Sequence, residues 1–312
     1  MIRLALLAAL CTCSLGAANI NVTTTSMSID VPGSVFIAPD PNGRSGLYEP
    51  ATFNISSLPG LDGLISLPEA IIAANNTAGA DTIVLSASTY TISTPNNYWY
   101  GPTGLPPITS DITIEGNGAI IERSSLGGTP SFRLFFVMGS FHTGGTGKVA
   151  VSAGNLTLRR LTLRNGLARG GNGGRGKSSG SEWAGCGGGG LGAGGAIFNQ
   201  GQLTLDSCLV VSNSATGGSG GVRNASISSP VGGGGGGMGG NGTDGGSAGI
   251  SGGGFYTSSL DSFTGTGTAS SAISPFGGNG GSGAPTAALG GGGFSPGEDG
   301  TSAAGANGGG GP

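Results

Sequence analysis

An internal repeat is the feature that most restricts how this chain can fold. Residues 154–163, GNLTLRRLTL, align without a gap on residues 201–210, GQLTLDSCLV, so the two copies lie 47 residues apart. Both copies alternate Leu with Thr, as strands with one apolar face do. Repeated strand–turn–strand units become stable by stacking, because each buries its apolar face against the next. The repeat therefore predicts stacked layers of parallel strands.

Shorter segments with the same character precede the repeat. Residues 82–85 (TIVL) and 112–114 (ITI) read as strands, and residues 112–118 form a weaker third copy. No long amphipathic segment separates these strands, which disfavours a sheet with helical crossovers. An antiparallel sandwich would need tight hairpin turns, and only Asn117-Gly118 offers one. We predict an all-β fold, a right-handed parallel β-helix or solenoid, with a short N-terminal capping helix and glycine-rich loops and tail.

The repeat also predicts which side chains build the core. The inward positions, taken from the apolar alternation, are Leu156, Leu158, Leu161 and Leu163 in the first copy and Leu203, Leu205, Cys208 and Val210 in the second. Cys208 replaces Leu161 in the alignment, so we interpret it as a small buried hydrophobe. Cys186 lies in a glycine-rich segment, and both a disulfide between it and Cys208 and two free thiols remain open.

One short helix is predicted over residues 66–75. Ser66 and Glu69 stand at the spacing of a capping box, in which each side chain satisfies a free backbone N–H near the other residue. Pro68 is tolerated because first-turn N–H groups have no partner within the helix. The apolar residues recur at helical spacing, and Asn76 and Gly79 end the pattern.

Glycine divides the chain unevenly. Residues 1–165 hold 18 of the 71 glycines and residues 166–312 hold the other 53, far above the usual share of about 7%. Such segments offer few side chains to bury, so flexible loops are the default expectation. The predicted organisation is a signal peptide at 1–18, an extension at 19–63, the β-helix at 64–216 with an insertion at about 166–195, and a flexible segment at 217–312.

The first residues have the layout of a secretory signal peptide. Arg3 begins a short apolar run that is followed by small residues, and cleavage is expected after Gly16 or Ala18. The apolar run, residues 2–10, is too short to span about 30 Å of hydrocarbon. We therefore predict an exported protein, extracellular or at the cell surface in association with an outer membrane.

The composition restricts the chemistry that this chain can perform. With 12 Lys plus Arg against 15 Asp plus Glu, it lacks the basic excess of a nucleic-acid-binding protein. The single histidine, His142, and the scattered cysteines make no metal set, and we expect no cofactor. Glu115 and Glu122 could approach one another, yet no two acidic residues recur in register. We predict no enzyme and no catalytic residues.

Several segments resemble known surface proteins. Residues 65–71 (ISLPEAI) and 80–85 (ADTIVL) resemble the N-terminal cap of the CSLREA-type proteins, and residues 112–119 and 132–135 fit the same family. The run that contains Gly194, Gly195 and Asn199 resembles the G-G-A-I repeat of bacterial polymorphic outer membrane proteins. The resemblance covers residues 64–218, although Ile65 and Pro68 replace the Cys and Arg of the cap motif. It implies a right-handed parallel β-helix on a secreted or surface-attached protein, with adhesion the function most often suggested.

The expected function is thus that of an exported, non-catalytic, adhesion-type surface protein. Its expected partner is a glycan or a protein of a host or neighbouring cell, with membrane attachment only through an anchor outside this chain. A polysaccharide lyase or glycoside hydrolase is the first alternative, because β-helices often carry such enzymes, although fold alone is weak support. A structural matrix protein that acts through its glycine-rich tail is the second.

Overall fold

A computed structural model describes residues 17–32, 53–97, 101–139, 153–175, 177–178, 188–222, 224–225 and 241. Within these ranges the chain forms one α-helix, α1 (Leu67–Asn75), one 3₁₀-helix (Ile55–Ser57) and fifteen short strands. The strands are β1 (Asn19–Asn21), β2 (Ala80–Val84), β3 (Thr89–Ile92), β4 (Asp111–Glu115), β5 (Ile120–Arg123), β6 (Phe135–Val137), β7 (Asn155–Arg159), β8 (Thr162–Arg164), β9 (Leu167–Arg169), β10 (Lys177–Ser178), β11 (Ile197–Asn199), β12 (Gln202–Asp206), β13 (Leu209–Val211), β14 (Ser214–Thr216) and β15 (Asn224–Ala225).

All pairing between these strands is parallel. One sheet has five strands in the order β1-β2-β4-β7-β12, and a second has four in the order β13-β8-β5-β3. Three further sheets contain two strands each, β6 with β11, β9 with β14, and β10 with β15. Asn155 pairs with Gln202, and every partner along β7 and β12 is 47 residues away. The same offset joins β8 to β13 and β9 to β14, so the predicted pairing of the two repeat copies is confirmed.

The predicted fold class is wrong. The described residues form five separate, short parallel sheets and one buried α-helix, a mixed arrangement in which no all-β solenoid is found. A solenoid needs every repeat to contribute the same set of strands. Here the sheets contain between two and five strands, so the repeats do not all contribute the same set. In the five-stranded sheet β7 lies between β4 and β12, whereas in a two-stranded sheet β6 pairs directly with β11.

Helix α1 begins and ends where the sequence predicts. Ser66 accepts a hydrogen bond from the Glu69 backbone N–H at 3.3 Å, and Glu69 accepts one from the Ser66 N–H at 2.8 Å. Both bonds of the capping box are therefore present. Asn76 caps the other end. The helix is buried on all sides rather than on one face, since every residue from Leu67 to Ala74 is buried. It packs against β2, β4 and the 3₁₀-helix, next to the apolar core of the sheets.

Left-handed turns end the strands of both repeat copies. Arg160 (φ 50°) and Ser207 (φ 56°) follow β7 and β12, and Asn165 (φ 65°) and Ser212 (φ 55°) follow β8 and β13. Both pairs are 47 residues apart, so the backbone repeats together with the strands. A non-glycine residue with positive φ costs roughly 1–2 kcal/mol. Packing of the strands on each side of the turn must offset this cost.

The inward positions of the two copies differ in burial. Leu156, Leu158 and Leu161 are buried, as predicted. Leu203 and Cys208 are only partly buried, and Leu205 is 46% exposed. Leu205 keeps its register with the buried Leu158, but β12 is the last strand of its sheet. Val210, on the last strand of the four-stranded sheet, is 45% exposed. The prediction that Leu205 and Val210 are buried is therefore wrong, because no further strand among the described residues covers them.

The described glycine-rich residues are closely packed. Gly190 N donates to Gly171 O at 2.8 Å, and Gly218 N donates to Gly190 O at 2.8 Å, so three chain segments hydrogen-bond side by side. A Cβ atom on Gly192 would lie 2.0 Å from Thr216 O. The segments can approach this closely only because glycine has no side chain. Glycine thus serves here as a packing residue as well as a flexible one.

Candidate binding surface

A row of threonines crosses the outer face of the five-stranded sheet. Thr82, Thr113, Thr157 and Thr204 are direct register partners on β2, β4, β7 and β12. Their neighbours along each strand point inward, so alternation places the threonines outward. Three of them are partly exposed and Thr204 is exposed. Neighbouring strands lie about 4.8 Å apart, and the row therefore presents hydroxyl groups at that regular spacing.

A polar row flanks the threonines on one side. Asp111, Asn155 and Gln202 occupy one register position on β4, β7 and β12. Asn155 Nδ2 donates to Asp111 Oδ1 at 3.1 Å. This row offers a carboxylate and two amides beside the hydroxyls. A surface that combines these groups can both donate and accept hydrogen bonds.

A charged row flanks the threonines on the other side. Glu115, Arg159 and Asp206 share a register position. Arg159 Nε lies 3.8 Å from Asp206 Oδ2, with both side chains about half exposed. Arg160 Nε lies 3.0 Å from Glu115 Oε1, and its Nη2 donates to Asn117 Oδ1 at 3.0 Å. Exposed pairs of this kind contribute at most about 1 kcal/mol, so their main effect is to shape the charge of the face.

Glu122 belongs to the neighbouring four-stranded sheet and has its own partners. Arg164 Nε donates to Glu122 Oε2, and Thr91 Oγ1 donates to Glu122 Oε1 at 3.0 Å. Glu115 is paired separately with Arg160. The structure therefore gives the two glutamates separate partners and does not bring them together as the two carboxylates of a hydrolase. In the described ranges, no group of three His, Cys, Asp or Glu side chains could hold a metal ion.

Arg133 is a buried cation that the sequence prediction missed. Its side chain is 1% exposed, and its guanidinium carbon lies 4.8 Å from the centre of the Phe198 ring. Nε and Nη1 have no hydrogen-bond partner among the described residues. Burial lowers the pKa of Arg133 to about 9. The sequence signal was a single arginine between aromatic and aliphatic residues in Phe132-Arg133-Leu134-Phe135.

Asp81 is a buried carboxylate at the edge of the same core. It is 1% exposed, and its Oδ1 accepts a hydrogen bond from Ala18 N at 3.0 Å. Oδ2 has no hydrogen-bond partner in the part of the chain that the structure describes. Burial raises the pKa of Asp81, and the hydrogen bond from Ala18 opposes that shift. A carboxylate in this state favours an additional donor or a positive charge.

The structural residues named from the sequence are spread over the molecule rather than gathered at one site. Ser66 and Glu69 begin the helix, whereas Cys208 is a free thiol whose Sγ donates to Leu158 O at 3.3 Å. Gly194 adopts a φ of +64°, and a Cβ on Gly195 would lie 2.5 Å from Ser214 O. Asn199 is exposed and accepts a hydrogen bond from Gly201 N at 3.1 Å. His142 and Cys186 lie outside the described residues.

Two further observations bear on identity and attachment. In the described ranges, no helix has both the length and the apolar character needed to cross a membrane. The resemblance to CSLREA-type and polymorphic outer membrane proteins stays a prediction. Comparison with family models, curated proteins and solved structures finds no match to this chain.

Proposed function

We propose that this chain is an exported, non-catalytic surface protein that binds an extended surface glycan through the outer face of its five-stranded sheet. The threonine row carries this proposal. It joins four strands in direct register and lies between a row of amides and a row of charges. The signal-peptide layout of the first residues supports export.

The chemistry of the face suits a polymer better than a small molecule. Hydroxyl groups at about 4.8 Å intervals form a linear array rather than a closed pocket. An extended polysaccharide carries hydroxyl groups along its whole length, so successive sugars could exchange hydrogen bonds with successive strands. Each bond adds only about 0.5–1.5 kcal/mol. Useful affinity therefore requires several strands acting together.

A pair of matched variants tests the proposal. Thr113→Lys with Thr157→Lys places two long charged side chains on the threonine row. Thr89→Lys with Thr162→Lys makes the same change on the outer face of the four-stranded sheet. We expect the purified wild-type chain to bind ligands on a glycan array, and the first variant to bind at least about tenfold more weakly. The second variant should bind as the wild type does, and both should unfold at the wild-type temperature.

Enzyme assays on the same preparation separate binding from catalysis. We expect pectin, alginate and xylan to keep their length after incubation with the wild-type chain. Release of unsaturated uronate products that absorb in the ultraviolet would instead favour the lyase alternative. Equal loss of glycan binding in both lysine variants would show that the threonine row has no special role.

A structural role for the glycine-rich segments is the second candidate function. It is favoured by the hydrogen bonds that join Gly171, Gly190 and Gly218 across three segments. Segments bonded in this way could build an ordered matrix without a conventional core. Hydrogen exchange gives the test. Slow exchange of the Gly190 and Gly218 amides would support an ordered structural element, whereas exchange at the rate of an unfolded peptide would exclude it.

A further inference from the structure

Both backbone polar groups of Ala18, directly before β1, form hydrogen bonds. Its carbonyl oxygen accepts a hydrogen bond from Thr82 N at 2.8 Å, and its nitrogen donates to Asp81 Oδ1 at 3.0 Å. The next residue, Asn19, begins the parallel pairing of β1 with β2. The edge of the five-stranded sheet therefore uses Ala18, and not only the strand that follows it.

Asp81, which accepts the hydrogen bond from Ala18 N, has one carboxylate oxygen without a partner among the described residues. Asp81 is 1% exposed, and its Oδ2 has no partner among the described residues. No lysine, arginine or histidine in those residues forms an ion pair with it. A buried carboxylate with a single neutral donor is costly, because burial removes its hydration without supplying an opposite charge. A positive charge or a further donor beside Oδ2 would offset this cost.

The sequence supplies a way to create a positive charge there. The apolar run of residues 2–10 is followed by the small residues Ser14, Gly16 and Ala17, and Ala17 provides the small residue that a signal peptidase requires directly before the bond it cuts, with Leu15 at the third position before that bond. Hydrolysis of the Ala17–Ala18 bond adds one water molecule. Ala17 leaves with a carboxylate, and Ala18 keeps an α-ammonium group. Cleavage one residue later would remove the nitrogen and the carbonyl that Asp81 and Thr82 N use.

We propose that the mature chain begins at Ala18 and that its α-ammonium group forms an ion pair with the buried Asp81. An ammonium carries three N–H donors, so it can serve Oδ1 and the unpartnered Oδ2 together. The cut thus turns a neutral donor into a charged one without moving β1. The processing step completes the edge of the fold. This inference rests on the exported character proposed above.

Three measurements test the proposal. The first is the N-terminus of the full chain after export from a bacterial host, by intact mass and terminal sequencing. We expect a free amine on Ala18. A start at Ala17 or Asn19 would overturn the assignment. These are the two starts that the small-residue pattern alone favours, because Ser14 with Gly16, or Gly16 with Ala18, fills both of its positions; the contacts of Ala18 with Asp81 and Thr82 are what favour a start at Ala18.

The second measurement isolates the charge. A chain that starts at Ala18 is compared with the same chain acetylated on its α-nitrogen, which keeps an N–H but removes the charge. We expect acetylation to lower the unfolding temperature by roughly 4 °C or more. In Asp81→Asn the effect of acetylation should vanish, as a double-mutant cycle requires. Equal stability of the free and acetylated wild-type chains would contradict the ion pair.

A titration covers the case in which Asp81→Asn does not fold. The α-amino group of Ala18 in the wild-type chain should titrate at least about one pH unit above the ordinary range of 7.7–8.0, by nitrogen or carbon NMR of that residue. An ordinary value would overturn the pairing. Glycan binding by the same chain is independent of these readouts. A chain that starts at Ala18 and binds no glycan would contradict the proposed function alone.

Discussion

Leu158 and Leu205 are direct register partners on β7 and β12, yet Leu158 is fully buried and Leu205 is 46% exposed. Both leucines occupy the inward position of their strand. The difference arises because β7 lies between β4 and β12, whereas among the described residues β12 has a strand on one side only. The same Leu-Thr-Leu sequence therefore occupies two different environments.

The first prediction follows from that pair. Leu158→Ala should lower the free energy of unfolding by about 2–5 kcal/mol, because it opens a cavity in a closed core. Leu205→Ala should cost less than about 1 kcal/mol, since the exposed side chain loses little burial. Denaturant unfolding of the two variants gives the comparison. Similar losses in both would show that Leu205 is covered in the folded protein.

The capping box should be worth more than an isolated cap. Glu69 accepts hydrogen bonds from Ser66 N at 2.8 Å and from Asp30 N at 2.9 Å, so its two oxygens join the helix to the preceding segment. Glu69→Gln keeps one acceptor and leaves the other N–H unsatisfied, which should cost about 1–3 kcal/mol. Ser66→Ala should cost about 1 kcal/mol.

Thermal unfolding of these variants checks the prediction. Ser56→Ala removes an exposed serine next to the 3₁₀-helix cap and should change stability by less than about 0.5 kcal/mol. The combined Ser66 and Glu69 variant should lose less than the sum of the single losses, because the two residues share one network. Strict additivity would mean that the two side chains act independently.

Arg133 gives a prediction for pH. Burial lowers the folded pKa of Arg133 to about 9, well below the ordinary value of a guanidinium, so above about pH 9 the unfolded chain binds more protons than the folded chain. Stability should therefore rise with pH in that window. Below it the charge stays buried, with Nε and Nη1 unpartnered among the described residues. Arg133→Met should therefore be more stable than the wild type by about 1 kcal/mol or more, even after losing the contact with Phe198.

The test measures denaturant stability of both chains from pH 7 to pH 10.5. The advantage of Arg133→Met should shrink above about pH 9 as the wild-type guanidinium loses its proton. Arg159→Met, at an exposed position, should follow the wild type throughout. If Arg133→Met unfolds more easily than the wild type at pH 7, an anionic partner or ordered water must satisfy the buried guanidinium.

The glycine packing can be tested with one methyl group. Gly192→Ala would place its Cβ 2.0 Å from Thr216 O, whereas the nearest atom to a Cβ on Gly217 is Gly190 O at 3.6 Å. We expect the first substitution to cost about 1–3 kcal/mol through overpacking. The second should be neutral or slightly stabilising. Hydrogen exchange of the Gly218 amide reports the local effect, and unchanged exchange in Gly192→Ala would exclude the close packing.

Much of the local structure could be predicted because it depends on neighbours along the chain. The helix follows from the spacing of Ser66 and Glu69 and from Asn76 at its end. The strands of the repeat follow from Leu and Thr alternation, and their register follows from the 47-residue offset. The threonine row is a direct consequence of that register, although the sequence reading identified only the inward positions.

The remaining features depend on residues far apart in the chain. Asp81 meets Ala18 across 63 positions, and Arg133 becomes buried only when Phe198 packs over it. The sequence suggests that Glu115 and Glu122 could be neighbours, but they lie on strands of different sheets, β4 and β5, and pair with different arginines, Arg160 and Arg164. Sequence patterns do not contain these distances.

The sequence by itself determined the helix, the strand segments and the parallel register of the repeat, because capping, alternation and turn residues act locally. Tertiary structure alone decided how many strands each sheet contains, which inward leucine is covered, and which buried charged side chains have atoms without a hydrogen-bond partner in the described part of the chain. It also replaced the expected continuous solenoid with separate short sheets around one buried helix. The physical reason is that burial and desolvation depend on what lies on every side of a residue, whereas the repeat specifies only the strand beside it.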